Sequence, residues 1–447
     1  MGGLHDFLRI VGRLARALLV AVLFPLVGVS MIGAAPVGTR VAQAVVSPPA
    51  GHVVLVDWDG FDPDYLATAD TPILDDLVRR GSLTRYATAS YRTTSNPSRA
   101  TMSTGAWPEV HRNIAYVFDE QSGLVRGQNR FLGAETVAQA LAEAGLTVAS
   151  VQWYMVQDHG VTYGDPDHLY VQPGGPCRTR VDTALAILDG SPVDSGGQPV
   201  VVPEMPNLLA VYCDDLDAGG HEVGADDPGL GRTLEEMDRQ LGRLVEKVRQ
   251  VGALESTTFV LTGDHGMTSW NRSLLPAVLA ELTAAGFTPE IVTPGQGPAP
   301  SSDLVIVPNS RRAGAFSLWG AADTPGARDR LVATLQAMPQ IERVIGPDEL
   351  RALHASKDEG DVIAEAAVPF AFAQSEPPPG QWRGAHGSLA ERRVPLLFAG
   401  AAIRPGAAPD DPRLVDLAPT ITTLLGVPAP DQTQGRPLRE ILQDHRR

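Results

Sequence analysis

Five short motifs carry side chains able to hold cations or attack an electrophile. They are Asp59-Gly60, Thr93-Thr94-Ser95-Asn96-Pro97-Ser98-Arg99, Asp217-Ala218-Gly219-Gly220-His221, Gly263-Asp264-His265-Gly266-Met267 and Gly384-Ala385-His386-Gly387. Together they offer three carboxylates (Asp59, Asp217, Asp264) and three imidazoles (His221, His265, His386). That set suits two zinc-like ions, each with three protein ligands and one position open for water or substrate. Two such ions close together clamp the attacking and leaving oxygens of an in-line displacement. Ser95 then has a role as nucleophile. A serine hydroxyl is weak at neutral pH, and a metal ion removes the need for a Ser-His-Asp relay. Ser95 also stands near a predicted helix start, where orphan N–H groups and the helix dipole favour an anionic oxygen. Taken singly, each motif has an ordinary reading: Asp-Gly as a turn, Ser95 as an N-cap, His386 as a surface histidine. Jointly they place three of the ten histidines in Gly-flanked motifs near predicted strands, and coincidence becomes the weaker account.

The elements that must position these residues are legible as alternating periods. Continuous apolar runs occur at residues 52–60, 146–152, 208–213, 257–261 and 395–399, the pattern of strands buried on both faces of a parallel sheet. Helical periodicity lies between them, at residues 72–80, 134–144, 230–251 and 414–425. Alternation of this kind predicts an α/β fold with a mainly parallel sheet. Ligands of such sheets bind beyond the carboxyl ends of the strands, where most of the motifs fall. Two stretches read as insertions, residues 154–206 and 270–382. The second contains a predicted strand (303–307), a helix (327–338) and the run Pro377-Pro378-Pro379-Gly380. They are expected to form a smaller cap subdomain, the usual place for substrate selection.

The chain has 447 residues and a formal net charge of -16. Such acidity argues against nucleic acid or anionic membrane surfaces as general partners. An anionic small-molecule substrate would need a local reversal of the field, which divalent cations provide. At the N-terminus, Arg9, Arg13 and Arg16 precede an uncharged run over residues 17–39, followed by Ala42-Gln43-Ala44. This reads as a signal peptide over residues 1–44, cut after Ala44, with a catalytic domain over 45–447. The alternative is an uncleaved anchor, which alone would bring the protein to a membrane. Either way the catalytic part is expected outside the cytoplasm, secreted or anchored. Cys177 and Cys213 would pair in an exported protein, or Cys213 is simply a buried strand residue; spacing does not decide between these.

The order Asp-Gly, Ser/Thr nucleophile, Asp-x-x-x-His, Asp-His-Gly, His-Gly resembles the alkaline phosphatase superfamily, and most of all its nucleotide pyrophosphatase/phosphodiesterase branch. The resemblance spans residues 53–442 and includes Arg393-Val394-Pro395-Leu396-Leu397 and Asp416-Leu417-Ala418-Pro419-Thr420. It implies an alkaline-phosphatase-like three-layer sandwich with a mainly parallel central sheet and a smaller inserted cap. It implies a phosphate ester as substrate, nucleotides among them, and a covalent phospho-seryl intermediate on Ser95. It implies one metal ion, zinc by ligand chemistry, on Asp59, Asp264 and His265, and a second on Asp217, His221 and His386. That branch carries threonine followed by Phe-Pro-Asn, where this chain has Ser95-Asn96-Pro97-Ser98. It also places an asparagine downstream to bind a phosphate oxygen. Here the candidates for that role are Asn113, Arg99 and Tyr116. Ser95-x-Pro97-Ser98-Arg99 also resembles the sulfatase signature, in which the first residue becomes formylglycine beside a single calcium ion. Three histidines suit zinc better than a hard cation. A third reading is a non-catalytic binding protein on a degenerate version of the fold.

Overall fold

The run His52-Val53-Val54-Leu55-Val56-Asp57-Trp58 places side chains alternately on two buried faces, so no polar alternation marks it. It forms the centre of the molecule in a computed structural model that describes residues 50–309, 311–320 and 324–443. The predicted signal segment lies outside the described residues. Twelve strands matter here: β1 (His52–Trp58), β2 (Gly81–Thr88), β3 (Val148–Val151), β4 (His168–Val171), β5 (Leu208–Cys213), β6 (Thr257–Thr262), β7 (Pro289–Ile291), β8 (Leu304–Asn309), β9 (Ala313–Leu318), β10 (Ile341–Ile345), β11 (Val362–Ala366) and β12 (Arg393–Gly400).

Seven of these form one sheet in the order β2-β12-β6-β1-β5-β3-β4. β6, β1, β5, β3 and β4 are mutually parallel. β12 runs antiparallel to both β6 and β2. The apolar run at 395–399 therefore reads like its neighbours in sequence but points the other way. Burial on both faces gives the same residue pattern for either direction, so periodicity does not report it. The register aligns Asp57 of β1 with Tyr212 of β5 and Thr262 of β6. The residues that follow all three strands emerge at one edge.

Nine helices are used below: α1 (Pro72–Arg79), α2 (Ser95–Thr104), α3 (Val137–Glu143), α4 (Cys177–Leu188), α5 (Asp215–Val223), α6 (Pro228–Gln250), α7 (Leu275–Ala284), α8 (Pro325–Gln336) and α9 (Leu417–Leu424). On one face of the sheet Val54, Val56, Leu209 and Val211 pack with Leu77 of α1, Val181 of α4 and Leu241 of α6. On the other face Val53, Leu55, Leu208 and Ala210 pack with Met102 of α2, Leu141 of α3 and Ile421 of α9. The result is a helix–sheet–helix sandwich. Each buried Val or Leu contributes about 1.5–3 kcal/mol of transfer free energy. Among the described residues no helix is long and apolar enough to cross a membrane.

Residues 154–206 do not form the cap expected of them. They supply edge strand β4 and helix α4, both integral to the central unit. The Gly-, Pro- and Asp-rich loops around a four-residue strand hide it from a periodicity reading. Cys177, at the start of α4, forms a disulfide with Cys213 at the end of β5. Residues 270–382 do hold a second sheet, in the order β7-β8-β9-β11-β10. One of its faces packs with α7 and α8 through Leu304, Phe316, Val278 and Leu331. The other carries Val305, Val307 and Ile363 against Tyr91 and Phe118.

Candidate active site

The parallel strands deliver the candidate ligands past their carboxyl ends. Asp59 leaves β1, with its N–H donating to Cys213 O at 2.8 Å. Asp217 and His221 sit in α5 four residues apart, hence on one helical face. Asp217 N–H donates to Asp59 O at 3.1 Å, which ties α5 to the end of β1. Gly60, at φ 69°, makes this approach possible: a Cβ there would lie 3.0 Å from Asp217 Cα. Asp264 and His265 follow β6. His386 comes before β12, yet reaches the same edge because β12 is antiparallel. Ser95 follows β2 and is the first residue of α2, with Thr94 in extended conformation before it. Gly105 closes that helix in the left-handed region.

The six side chains converge. Ser95 Oγ lies 3.2 Å from His265 Nε2. His265 Nε2 is 3.4 Å from Asp59 Oδ1 and 3.3 Å from Asp264 Oδ2. Asp217 Oδ1 is 3.3 Å from His221 Nε2 and 3.7 Å from His386 Nε2. Two groups that could hold a metal ion result: Asp59, Asp264 and His265, and Asp217, His265 and His386. The first is the set the resemblance implied. In the second, His265 stands where His221 was expected, while His221 flanks it through Asp217. The His265 and His386 rings stack at 3.6 Å between centroids, an arrangement that suits neutral rather than charged imidazoles.

The supporting contacts fix the orientation of each candidate ligand. His221 Nδ1–H donates to Gly384 O (2.9 Å), His265 Nδ1–H to Gly266 O (2.9 Å) and His386 Nδ1–H to Thr93 O (2.7 Å). These backbone acceptors assign the tautomer and turn every Nε2 lone pair inward, the usual support of a metal-bound histidine. Burial pushes the His265 imidazole down to about 4 and lowers His386 and His221 as well. The carboxylates follow the same rule. Asp59 Oδ2 accepts from Tyr212 Oη–H at 2.7 Å, and Asp264 Oδ1 accepts from Gly60 N–H at 3.1 Å and His265 N–H at 3.0 Å. Asp59 Oδ1 and Asp217 Oδ1 are buried and have no hydrogen-bond partner. An unpaired buried carboxylate oxygen costs several kcal/mol, on the order of 1–3 or more, unless a cation meets it.

Arg99 supplies part of that positive charge. Its guanidinium is fully buried. Nε meets Asp57 Oδ2 at 2.6 Å, Nη2 meets Asp59 Oδ2 at 3.0 Å and Nη1 meets Asp264 Oδ2 at 3.2 Å. The Tyr212 ring lies 4.2 Å from the guanidinium carbon. Burial opposes the Arg99 charge, but Asp264, Asp57 and Asp59 outweigh it and hold the group firmly protonated. One guanidinium does not balance four carboxylates. Desolvation raises Asp57 to about 6 and lifts Asp217 and Asp264 well above the usual carboxylate range. Orphan oxygens, neutral imidazoles aimed inward and surplus negative charge together fit divalent cations.

Of the three residues considered for substrate phosphate, only Tyr116 reaches the adjoining cavity, which has a volume of about 960 Å³ and includes Ser95, Asp217, His221 and His386 in its wall. Arg99 is spent on carboxylates. Asn113 is buried, and its amide donates to Asn129 O at 3.1 Å and Phe131 O at 2.9 Å. Sequence reasoning passed over Asp57, which lies on β1 two residues before the candidate ligand Asp59, and Arg311, which stands in the cavity wall and carries no local signature.

The sequence model of the type I phosphodiesterase / nucleotide pyrophosphatase family matches residues 53–388. A bis(5′-adenosyl)-triphosphatase of Bos taurus is 26% identical over 245 residues, 53% of this chain and 51% of that protein. Ectonucleotide pyrophosphatase/phosphodiesterase family member 5 of Homo sapiens is 24% identical over 241 residues, 52% of this chain and 48% of that one. The chain thus spans about half the length of the curated relatives it matches. Among solved structures, murine ectonucleotide pyrophosphatase/phosphodiesterase 5 superposes with a TM-score of 0.65 at 20% identity, covering 85% of this chain and 96% of that one. An inactive variant of the same murine protein, solved in complex with AMP, superposes equally well. The shared architecture is the alkaline-phosphatase-like α/β fold.

Proposed function

Because this chain belongs to the type I phosphodiesterase / nucleotide pyrophosphatase family, we propose that it is an extracytoplasmic, metal-dependent hydrolase of phosphate diesters, with Ser95 as its nucleophile. Two zinc ions are the proposed cofactors, on Asp59, Asp264 and His265 and on Asp217, His221 and His386. The mixture of imidazole and carboxylate favours zinc over a hard cation. Bound there, divalent ions supply Lewis-acid charge for the phosphoryl oxygens and lower the pKa of a coordinated hydroxyl or water. Nucleotide diesters and anhydrides belong to the proposed substrate class, supported by the AMP complex of the murine protein.

The observation that carries the proposal is the position of one hydroxyl. Ser95 Oγ is 3.2 Å from His265 Nε2, on the first turn of α2 and in the wall of the cavity. The N-terminal N–H groups of α2 favour negative charge on the phosphoryl group beside it. Attack by the Ser95 alkoxide forms an O–P bond and breaks the ester bond to the leaving group. The phospho-seryl ester is then cleaved by water, which restores the hydroxyl. Tyr116 borders the substrate, and Arg99 holds Asp59 and Asp264 in place from below.

Placement outside the cytoplasm is supported by the basic-then-apolar N-terminal pattern and by the Cys177–Cys213 disulfide, a bond typical of oxidising compartments. The test is turnover of bis-(p-nitrophenyl) phosphate by purified protein with added zinc. Ser95→Ala should reduce it by at least about 10³-fold, roughly 4 kcal/mol of barrier, with the fold intact. Unchanged turnover in that variant removes Ser95 from the chemistry. Faster cleavage of an aryl sulfate, with formylglycine at position 95 by mass spectrometry, would replace the proposal with the sulfatase reading that Ser95-Asn96-Pro97-Ser98-Arg99 suggests.

A further inference from the structure

The cavity above Ser95 contains two arginines in an otherwise acidic protein, and they differ in how they are used. Arg383 is tied to its own wall: its guanidinium donates to Glu222 O, to Trp382 O at 3.0 Å and to Gln381 Oε1 at 3.2 Å. Arg311 is exposed and has no ion-pair partner among the described residues. Its guanidinium carbon lies 5.8 Å from the Trp270 ring, and its charge reaches the His221 imidazole. The acids of the same cavity do not neutralise it. Asp217 belongs to the ligand cage. Glu376 accepts from Ser273 N–H at 3.1 Å and faces Arg272 at 3.7 Å.

The backbone at Arg311 is held on two sides. Arg311 O accepts from Phe372 N–H at 2.7 Å, and Arg312 N–H donates to His386 O at 3.2 Å. Residues 311 and 386 form a parallel bridge. The φ of Arg311 is 70°, uncommon for a residue with a side chain and maintained here by those bonds. A cation on a pinned backbone, joined to a ligand histidine and open to the reaction cavity, is what a preorganised anion contact requires.

We propose that Arg311 forms a subsite for a second, non-reacting phosphate of the substrate, so that this chain prefers phosphoanhydrides over diesters whose leaving group is uncharged. The inference rests on the hydrolase reading above and adds the charge of the preferred substrate. Arg311 stands just before β9, outside the central sheet, so its side chain can vary while the backbone bonds to Phe372 and His386 stay in place.

The test compares ATP with the p-nitrophenyl ester of AMP, which share a nucleoside and an α-phosphate but differ in the charge of the leaving group. In Arg311→Ala and Arg311→Gln the ratio of kcat/KM for ATP to that for the ester should fall at least about tenfold, with partial recovery in Arg311→Lys. A ratio within about twofold of the unsubstituted protein overturns the subsite. Calorimetric titration of the zinc-loaded protein with inorganic pyrophosphate gives a reading that does not depend on turnover. Affinity should drop at least about tenfold in Arg311→Ala, and equal affinity overturns the inference. Failure of both substrates to turn over, with pyrophosphate binding still sensitive to Arg311, would sink the hydrolase reading and leave the anion subsite standing.

Discussion

Two regions of this molecule each present an arginine near Ser95, and they put it to opposite uses. At the edge of the central sheet, Arg99 is fully buried, and three aspartates surround it within 3.2 Å. In the wall built on the second sheet, Arg311 is exposed and unpaired among the described residues. The first is internal wiring: it offsets the repulsion among carboxylates packed together in a dry site. The second is available to something that arrives. On the proposed function, the central sheet holds the chemistry in a fixed geometry, while the inserted sheet sets what approaches it.

Three experiments press on that contrast. The largest effect is expected inside the cage. Arg99→Met leaves three buried carboxylates without their cation and should destabilise the zinc-free protein by about 3–5 kcal/mol in urea unfolding. A loss below about 1 kcal/mol would mean that Arg99 is not the counter-ion its contacts imply. Arg311→Ala should instead leave the unfolding midpoint nearly unmoved, within about 0.5 kcal/mol, as befits an exposed side chain, while shifting substrate discrimination as described. Equal stability losses at the two positions would erase the distinction between floor and wall. The smallest effect concerns protons. Burial already keeps His221, His265 and His386 neutral near pH 7, so they have none to give up. Desolvation raises Asp217 and Asp264, which makes these carboxylates retain protons that a cation must displace. Zinc affinity should accordingly rise with pH. Calorimetry in buffers of different ionisation heat should show proton release that falls in Asp217→Asn. Release that persists in full in that variant would assign the protons elsewhere.

The cage was largely legible in the sequence because its parts follow a positional rule. Asp59, Asp217 and Asp264 come just after apolar runs, and parallel strands must end at a common edge. His386 obeys a different rule, since it precedes its strand. Its arrival at the same edge depends on β12 being antiparallel, a direction that burial on both faces conceals. Strand β4 was hidden by the Gly-, Pro- and Asp-rich loops around it, and residues 154–206 joined the main sheet where a cap was expected. Arg99 looked like a substrate contact because an arginine two residues after a proline says nothing about its partners. Asp57, Asp59 and Asp264 come to it only through the pairing of β1 with β6. Arg311 had no local signature at all. Its significance arises from the β8–β9 turn meeting the backbone of His386, a long-range contact that no window of sequence contains.

The account depends on Asp59, Asp217, His221, Asp264, His265 and His386 binding cations beside the Ser95 hydroxyl. Anomalous diffraction at the zinc edge, from crystals of the full chain grown with zinc, tests that directly. Two peaks lodged among these six side chains, next to Ser95, are the predicted result. Zinc bound elsewhere, with this cluster left unligated, would contradict it.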